Sequence, residues 1–230
     1  IVAKNGKIIS EKYQGFANQR TKELITVNTP LHLASVSKVL TATAILRLVE
    51  SDNIMLDQKV TDWLPSFPYK STTIRTLLNH RSGLQHYSRF PALLKTGWNK
   101  KKILTNQDVL DLMAKHKFRL LTPHDTRFDY CNTNYIILAL IIEKATGLKY
   151  EKAMNELIFK PLGMKNTFVF DYFRDKDTVS LSYRKGGMNP WDQFDNLNGD
   201  KNIYSTPRDL VKFDLATYSP DFINPEILKE

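Results

Sequence analysis

The alternation of apolar and polar positions divides the chain into a short strand-like start, a long helical middle and a mixed end. Residues 1–4 and 7–14 read as two strands, with Val2 on one arm and Ile8 and Ile9 on the other. Between them lies Asn5-Gly6, the strongest short-range signal for a two-residue hairpin turn, because both turn positions need positive φ. A lone hairpin is marginal in water, so this start predicts further strands or a covering helix elsewhere. Residues 36–51 read as a helix in which Lys38 is the only charge between Val36 and Leu46. A helix apolar nearly all round is predicted to be buried. Thr105 and Asp108 form a capping-box pattern ahead of Val109, Leu110, Leu112 and Met113. Asn132 or Thr133 opens a helix through Ile136, Ile137, Leu140 and Ile141 that stops at Gly147. Another helix is predicted over 150–159, ended by Pro161. Thr206 as N-cap, Pro207 in the first helical position and Asp209 in the third start a final helix through Leu210, Val211 and Phe213. Weaker strand signals lie in 166–184.

These elements predict an α+β fold, an antiparallel sheet with flanking helices plus a helical region, whose sheet is only begun within this chain. Three stretches are expected: 1–60 with the hairpin and the buried helix, 61–165 as the helical domain, and 166–230 returning towards the sheet. Pro65-Ser66-Phe67-Pro68 is a local breaker rather than a linker, and there is no internal repeat or low-complexity tract.

Composition narrows the classes. At 230 residues, 42% hydrophobic and 25% charged, the chain can bury a real core. Its longest apolar run, Tyr135 to Ile142, is far too short to span a membrane. Cys131 is the only cysteine, which excludes an internal disulfide. The net charge of +9 suggests nucleic acid or an anionic polymer, but the basic residues are spread along the chain and form no regular helix face. A solvated basic surface without nucleic-acid binding is the expectation. The five histidines have no metal-ligand spacing, and neither a P-loop nor a dinucleotide fingerprint occurs, so no metal and no cofactor are predicted. The chain starts at Ile1, inside an apparent strand and with no visible secretory leader, so upstream sequence is expected.

The candidate chemistry begins at Ser35-Val36-Ser37-Lys38. Three-residue spacing on a helix brings the Lys38 side chain onto the face of Ser35. Helix-start N–H groups favour the negative charge that develops as a serine oxygen attacks. A cation in the first turn opposes the helix dipole, and burial of an amine favours its neutral, basic form. The bland alternative is an N-capping serine and a lysine snorkelling to solvent. Tyr130-Cys131-Asn132, ahead of the next helix, offers a phenol for proton transfer and a carboxamide for holding lysine or substrate. Here the alternative is that Asn132 caps the helix and Tyr130 fills space. Two rival nucleophiles, Ser82 with His80 and Cys131 with His124 or His116, have no supporting pattern.

Five motifs occur in order: Ser35-x-x-Lys38, Leu77-Leu78-Asn79-His80-Arg81-Ser82-Gly83-Leu84, Tyr130-x-Asn132, Pro161-Leu162-Gly163-Met164 and Ser205-Thr206-Pro207-Arg208-Asp209-Leu210. Together they resemble the serine β-lactamase-related family, which includes class C β-lactamases, D-alanyl-D-alanine carboxypeptidases, penicillin-binding proteins and related esterases. The resemblance implies a β-lactamase/transpeptidase-like fold, Ser35 as the acylated nucleophile, Lys38 and Tyr130 as proton-transfer partners, and Asn132 as a substrate-positioning group. It implies a structural role for the His80 motif, with Gly83 shaping a turn, and an oxyanion donor in the Ser35 N–H. A small-molecule or peptidoglycan-peptide substrate and an extracytoplasmic location follow from it.

One family feature is missing. The third motif, Lys or His followed by Thr or Ser and Gly, does not occur, and Lys185-Gly186-Gly187 lacks the hydroxyl. By this comparison the motif and the remaining strands would lie downstream of Glu230, and residues 1–230 alone are expected to be inactive. The competing expectation is a non-catalytic peptidoglycan- or ligand-binding protein that keeps the fold.

Overall fold

The computed structural model describes residues 1–95, 98–185 and 187–229; Thr96, Gly97, Gly186 and Glu230 lie outside the described residues, Gly186 being the middle of the tripeptide considered above. Nine short strands are described: β1 (Val2–Lys4), β2 (Lys7–Ser10), β3 (Phe16–Asn18), β4 (Glu23–Leu24), β5 (Leu31–His32), β6 (Phe168–Val169), β7 (Tyr183–Arg184), β8 (Gly187–Met188) and β9 (Ile203–Ser205). The predicted hairpin is present, with β1 antiparallel to β2 and with Asn5 and Gly6 at φ 50° and 74°. Its second arm stops at Ser10 rather than residue 14, and all of its side chains are exposed. β3–β4 and β7–β8 are further two-stranded pairs.

The sheet that matters for the site is the antiparallel β5-β9-β6, with β9 in the centre. Leu31 pairs with Ser205, His32 and Phe168 with Tyr204, and Val169 with Ile203. All three β9 residues are buried. Tyr204 stacks on Phe168 with ring centroids 5.6 Å apart and contacts His32 at 5.1 Å.

The helices are α1 (Ser37–Glu50), α2 (Val60–Trp63), α3 (Ile74–Leu78), α4 (Phe90–Leu94), α5 (Asn106–His116), α6 (Asn132–Thr146), α7 (Tyr150–Met154), α8 (Tyr172–Asp175) and α9 (Pro207–Thr217). The core is built around α6, in which every residue from Thr133 to Ile142 is buried. Helix α1 packs on α6 and contributes Leu40, Ala44, Ile45 and Leu48 to the core. It is not buried all round, as its pattern suggested, since Val39 is exposed, as is Val36 just ahead of it. The capping boxes are local and form as read. Thr105 and Asp108 cap α5 reciprocally, and Thr206 accepts the Asp209 N–H at the start of α9. α6 opens at Asn132 and is followed by Gly147 as read, with extended Cys131 in the cap position ahead of it, so Asn132 is the first helical residue and not a cap. The helix predicted over 150–159 divides into α7 and a π-helical turn at Asn155–Phe159.

Candidate active site

Strand β9 places the candidate nucleophile, Ser35. The pairing of β5 with β9 is extended by Leu33, whose N–H donates to Ile203 O at 2.9 Å. At Ala34 the chain turns through φ 46° into a 3-10 turn over Ala34–Val36. That left-handed conformation costs a residue with a β-carbon about 1 kcal/mol, and such strain persists only where the surroundings over-determine it. Here the surroundings do so on both sides, because Ser37 Oγ accepts the Ile203 N–H at 3.1 Å. Ser35 is left exposed at the junction.

Lys38 lies behind Ser35 and is only 6% exposed. Its Nζ donates to Asp200 O at 2.8 Å and to Ser35 Oγ at 3.3 Å. It also sits 5.1 Å and 5.7 Å from the ring centroids of Tyr130 and Tyr135, within cation–π range. The snorkelling alternative is excluded by this geometry. On the open side, the Tyr130 hydroxyl donates to Ser35 Oγ at 3.0 Å, and Tyr130 is 47% exposed. Ser35, Lys38 and Tyr130 therefore meet at one oxygen. Asn132 is half-buried, faces the Tyr87 hydroxyl, and has a buried Oδ1 without a protein partner.

Several residues that the sequence reading passed over hold this arrangement. Asp200 is fully buried; its Oδ2 accepts the Tyr87 hydroxyl at 2.8 Å and its Oδ1 has no partner. Burial raises the proton affinity of that carboxyl, against which the charges of Lys38 and Lys201 act. Gly199, at φ 98°, brings the chain so close to α6 that an added Cβ would lie 2.2 Å from Tyr135 O. Thr41 Oγ1 donates to Gly199 O at 2.7 Å. Asn198-Gly199-Asp200-Lys201, a glycine beside two ionisable residues, was the available signal, but only folding shows which of them faces Lys38.

The rival nucleophiles are occupied elsewhere. Ser82 is fully buried and its hydroxyl donates to Asn134 Oδ1 at 2.6 Å. Cys131 is buried, with Sγ 3.4 Å from Leu84 O, and burial pushes its thiol pKa up. His116 stacks on Phe118. Gly83 shapes a turn at φ 74°, where an added Cβ would meet Thr122 O at 2.2 Å.

Comparison with known proteins identifies the family. The Beta-lactamase family profile matches residues 1–230. The chain belongs to the Beta-lactamase family. This family member is 33% identical over 240 residues to penicillin-binding protein 4* of Bacillus subtilis (strain 168), a match covering 97% of this chain and 52% of that protein. It is 32% identical over 164 residues to a D-aminopeptidase of Brucella anthropi, covering 71% of this chain and 31% of that protein. Among solved structures, a penicillin-binding protein from Bacillus halodurans superposes with TM-score 0.79 at 26% identity, covering 94% of this chain and 67% of that one. The D-amino acid amidase from Ochrobactrum anthropi SV3 complexed with D-phenylalanine gives 0.74 at 28% identity, covering 94% and 64%. The Beta-lactamase family chain thus has a β-lactamase/transpeptidase-like fold, and spans about half the length of the first relative and a third of the second.

Proposed function

We propose that the protein is a serine hydrolase that forms an acyl-enzyme on Ser35 with an amide, lactam or ester. One observation carries this reading. An exposed serine oxygen lies within hydrogen-bond reach of a buried lysine amine and a half-exposed phenol from a segment 95 residues away. In the reactive form, with the Lys38 amine unprotonated, Ser35 Oγ bonds to the carbonyl carbon as its proton passes to Nζ. The carbonyl oxygen becomes an oxyanion beside the Ser35 N–H at the start of the helical turn. The bond from carbon to the leaving nitrogen or oxygen then breaks. Tyr130, on the solvent side, gives that atom its hydroxyl proton and is reprotonated from Lys38. Water hydrolyses the ester by the same relay in reverse. Asn132 lies beside this path as the group that orients the substrate amide.

The names of the relatives, a penicillin-binding protein, a D-aminopeptidase and a D-amino acid amidase, bring small acyl compounds of D-configured residues into the proposal. We place the protein outside the cytoplasm on the same resemblance; no described helix is long and apolar enough to cross a membrane.

The test is intact-mass spectrometry of the full-length protein after brief exposure to a penicillin or a fluorophosphonate. An adduct on Ser35, lost in Ser35→Ala, is the expected result. A persistent penicillin adduct marks a penicillin-binding protein, and rapid turnover marks a β-lactamase. Labelling by fluorophosphonate alone marks an esterase or amidase. Stoichiometric label retained on Ser35→Ala would sink the reading.

A further inference from the structure

Behind the Tyr130 ring lies His80, a buried imidazole to which the chemistry above gives no part. Its ring centroid is 4.5 Å from that of Tyr130, 5.2 Å from Tyr135 and 5.8 Å from Phe128. His80 Nδ1 accepts the N–H of Cys131, the residue after Tyr130, at 3.1 Å. His80 O accepts the N–H of Asp129, the residue before it, at 2.8 Å. The amide nitrogen of Asn134 is a second neighbour of Nδ1 at 3.3 Å. Its orientation is fixed, because Asn134 Oδ1 takes the Ser82 hydroxyl. With two donors aimed at Nδ1, the ring proton belongs on Nε2. His80 itself is held at φ 57°, a conformation that few residues other than glycine and asparagine adopt willingly.

We propose that His80 is a positioning residue for Tyr130, holding the phenol hydroxyl within reach of Ser35 by a tilted ring contact and by hydrogen bonds to the residues on either side. The proposal rests on the reading of Tyr130 as the donor to the leaving group. A half-exposed tyrosine on an extended segment has rotamers that point away from the serine. Proton transfer needs heavy atoms about 2.6–3.2 Å apart, so small displacements are costly. His80 removes that freedom from behind, where substrate does not reach.

Chemistry favours this use of a histidine. The titratable and charged groups that face it are Lys38 from α1, Asp129, Tyr130 and Cys131 from the segment ahead of α6, and Tyr135 from α6. Burial first, and the Lys38 charge second, push the imidazole pKa down to about 4. Nδ1 therefore stays an acceptor at neutral pH. Because the folded value lies below the ordinary 6.5, the grip is complete above pH 6.5 and is lost as pH falls through about 4.

The test is a double-mutant cycle on the full-length protein, read as the second-order rate of Ser35 labelling by a fluorescent penicillin, whose leaving nitrogen needs the proton that Tyr130 supplies. His80→Ala should slow labelling about 10–100-fold in the wild-type background but less than about threefold in Tyr130→Phe. Equal losses in both backgrounds overturn the proposal, because a merely structural histidine would cost the same with or without the hydroxyl. His80→Asn places an acceptor where Nδ1 stands and suits the positive φ, so it should recover most of the rate; an asparagine variant as slow as alanine also overturns it. If penicillin does not label the wild type, the positioning role is read from the Tyr130 ring resonances by NMR, and if a fluorophosphonate also fails to label it the acyl-enzyme reading fails separately. The resonances should move to the free-tyrosine position in His80→Ala, and unchanged resonances overturn the proposal.

Discussion

Two small sheets sit at opposite extremes in this protein. The β1–β2 hairpin is closed by neighbouring residues and buries none of its side chains. It is tied to the body beyond β2, where Arg208 Nε donates to the Glu11 carboxylate at 2.9 Å. The β5-β9-β6 sheet joins strands of two and three residues, β5 lying more than 130 positions ahead of the other two, and its central strand is wholly buried. Loop-closure entropy opposes the second sheet far more than the first. What offsets it is burial of Tyr204, Ile203 and the aromatic groups stacked on them. The proposed chemistry sits on the costly sheet, since β9 fixes the segment of Ser35 and Ser37 and the turn before it holds Lys38. Rigid placement of a reacting group needs many non-local contacts, and only the buried sheet supplies them.

The largest expected effect tests the chemical end of that contrast. Lys38→Met keeps a side chain of similar length in the buried site but removes the amine bonded to Asp200 O and Ser35 Oγ. Labelling of Ser35 in the full-length protein should slow by about 10³-fold, within the range for loss of a positioned proton-transfer group. The melting temperature should fall only modestly, because Met fills the volume of the lysine stem and relieves a buried amine, while Asp200 O loses its hydrogen bond and the Asp200 carboxyl loses a compensating charge. A large drop in melting temperature would instead make Lys38 a structural residue and separate the buried sheet from the chemistry.

Next in size is a test of the scaffold itself. Gly199→Ala sets a Cβ 2.2 Å from Tyr135 O at a residue with φ 98°. Overpacking and backbone strain together predict a loss of about 3 kcal/mol, measured by denaturant unfolding. Because Tyr135 O belongs to helix α6, the clash cannot relax without moving the core. A cost below about 1 kcal/mol, the level of an ordinary left-handed strain alone, would show that the turn holding Asp200 is loose.

How much of this was legible depends on distance along the chain. The Asn5-Gly6 turn, the Thr105–Asp108 box and the Thr206 cap were readable because each is decided within a few residues. Ser35, Lys38, Tyr130 and Asn132 were readable as motifs, and the resemblance gave them roles, but no spacing rule could show Tyr130 reaching Ser35 across 95 positions. Of the β5-β9-β6 sheet only β6 was legible, within the weak strand signals of 166–184. β5 and β9 are too short to show an alternating pattern, and Ile203-Tyr204-Ser205 is buried on both faces. Asp200 and Tyr87 escaped notice for the same reason, being ordinary residues until folding puts a carboxyl and a phenol 2.8 Å apart beside the lysine. Val39 went the other way, since an apolar helix position was read as core and lies at the surface.

The smallest effect belongs to the hairpin. Gly6→Ala forces a β-carbon into φ 74°, with no atom within 4 Å of it, so the whole cost is conformational, about 1 kcal/mol. A two-stranded hairpin is marginal on its own, so the substitution should fray β1 and β2 without reaching the core. Hydrogen exchange should quicken at the hairpin amides, while the amides of Leu33 and Ile203, which bond Ile203 O and Ser37 Oγ, keep their protection. Labelling of Ser35 should be unchanged. If instead the Ile203 amide loses protection together with the hairpin, the two sheets unfold as one unit. Glu11 and Arg208 would then be a mechanical link between them rather than a surface ion pair of the usual small worth.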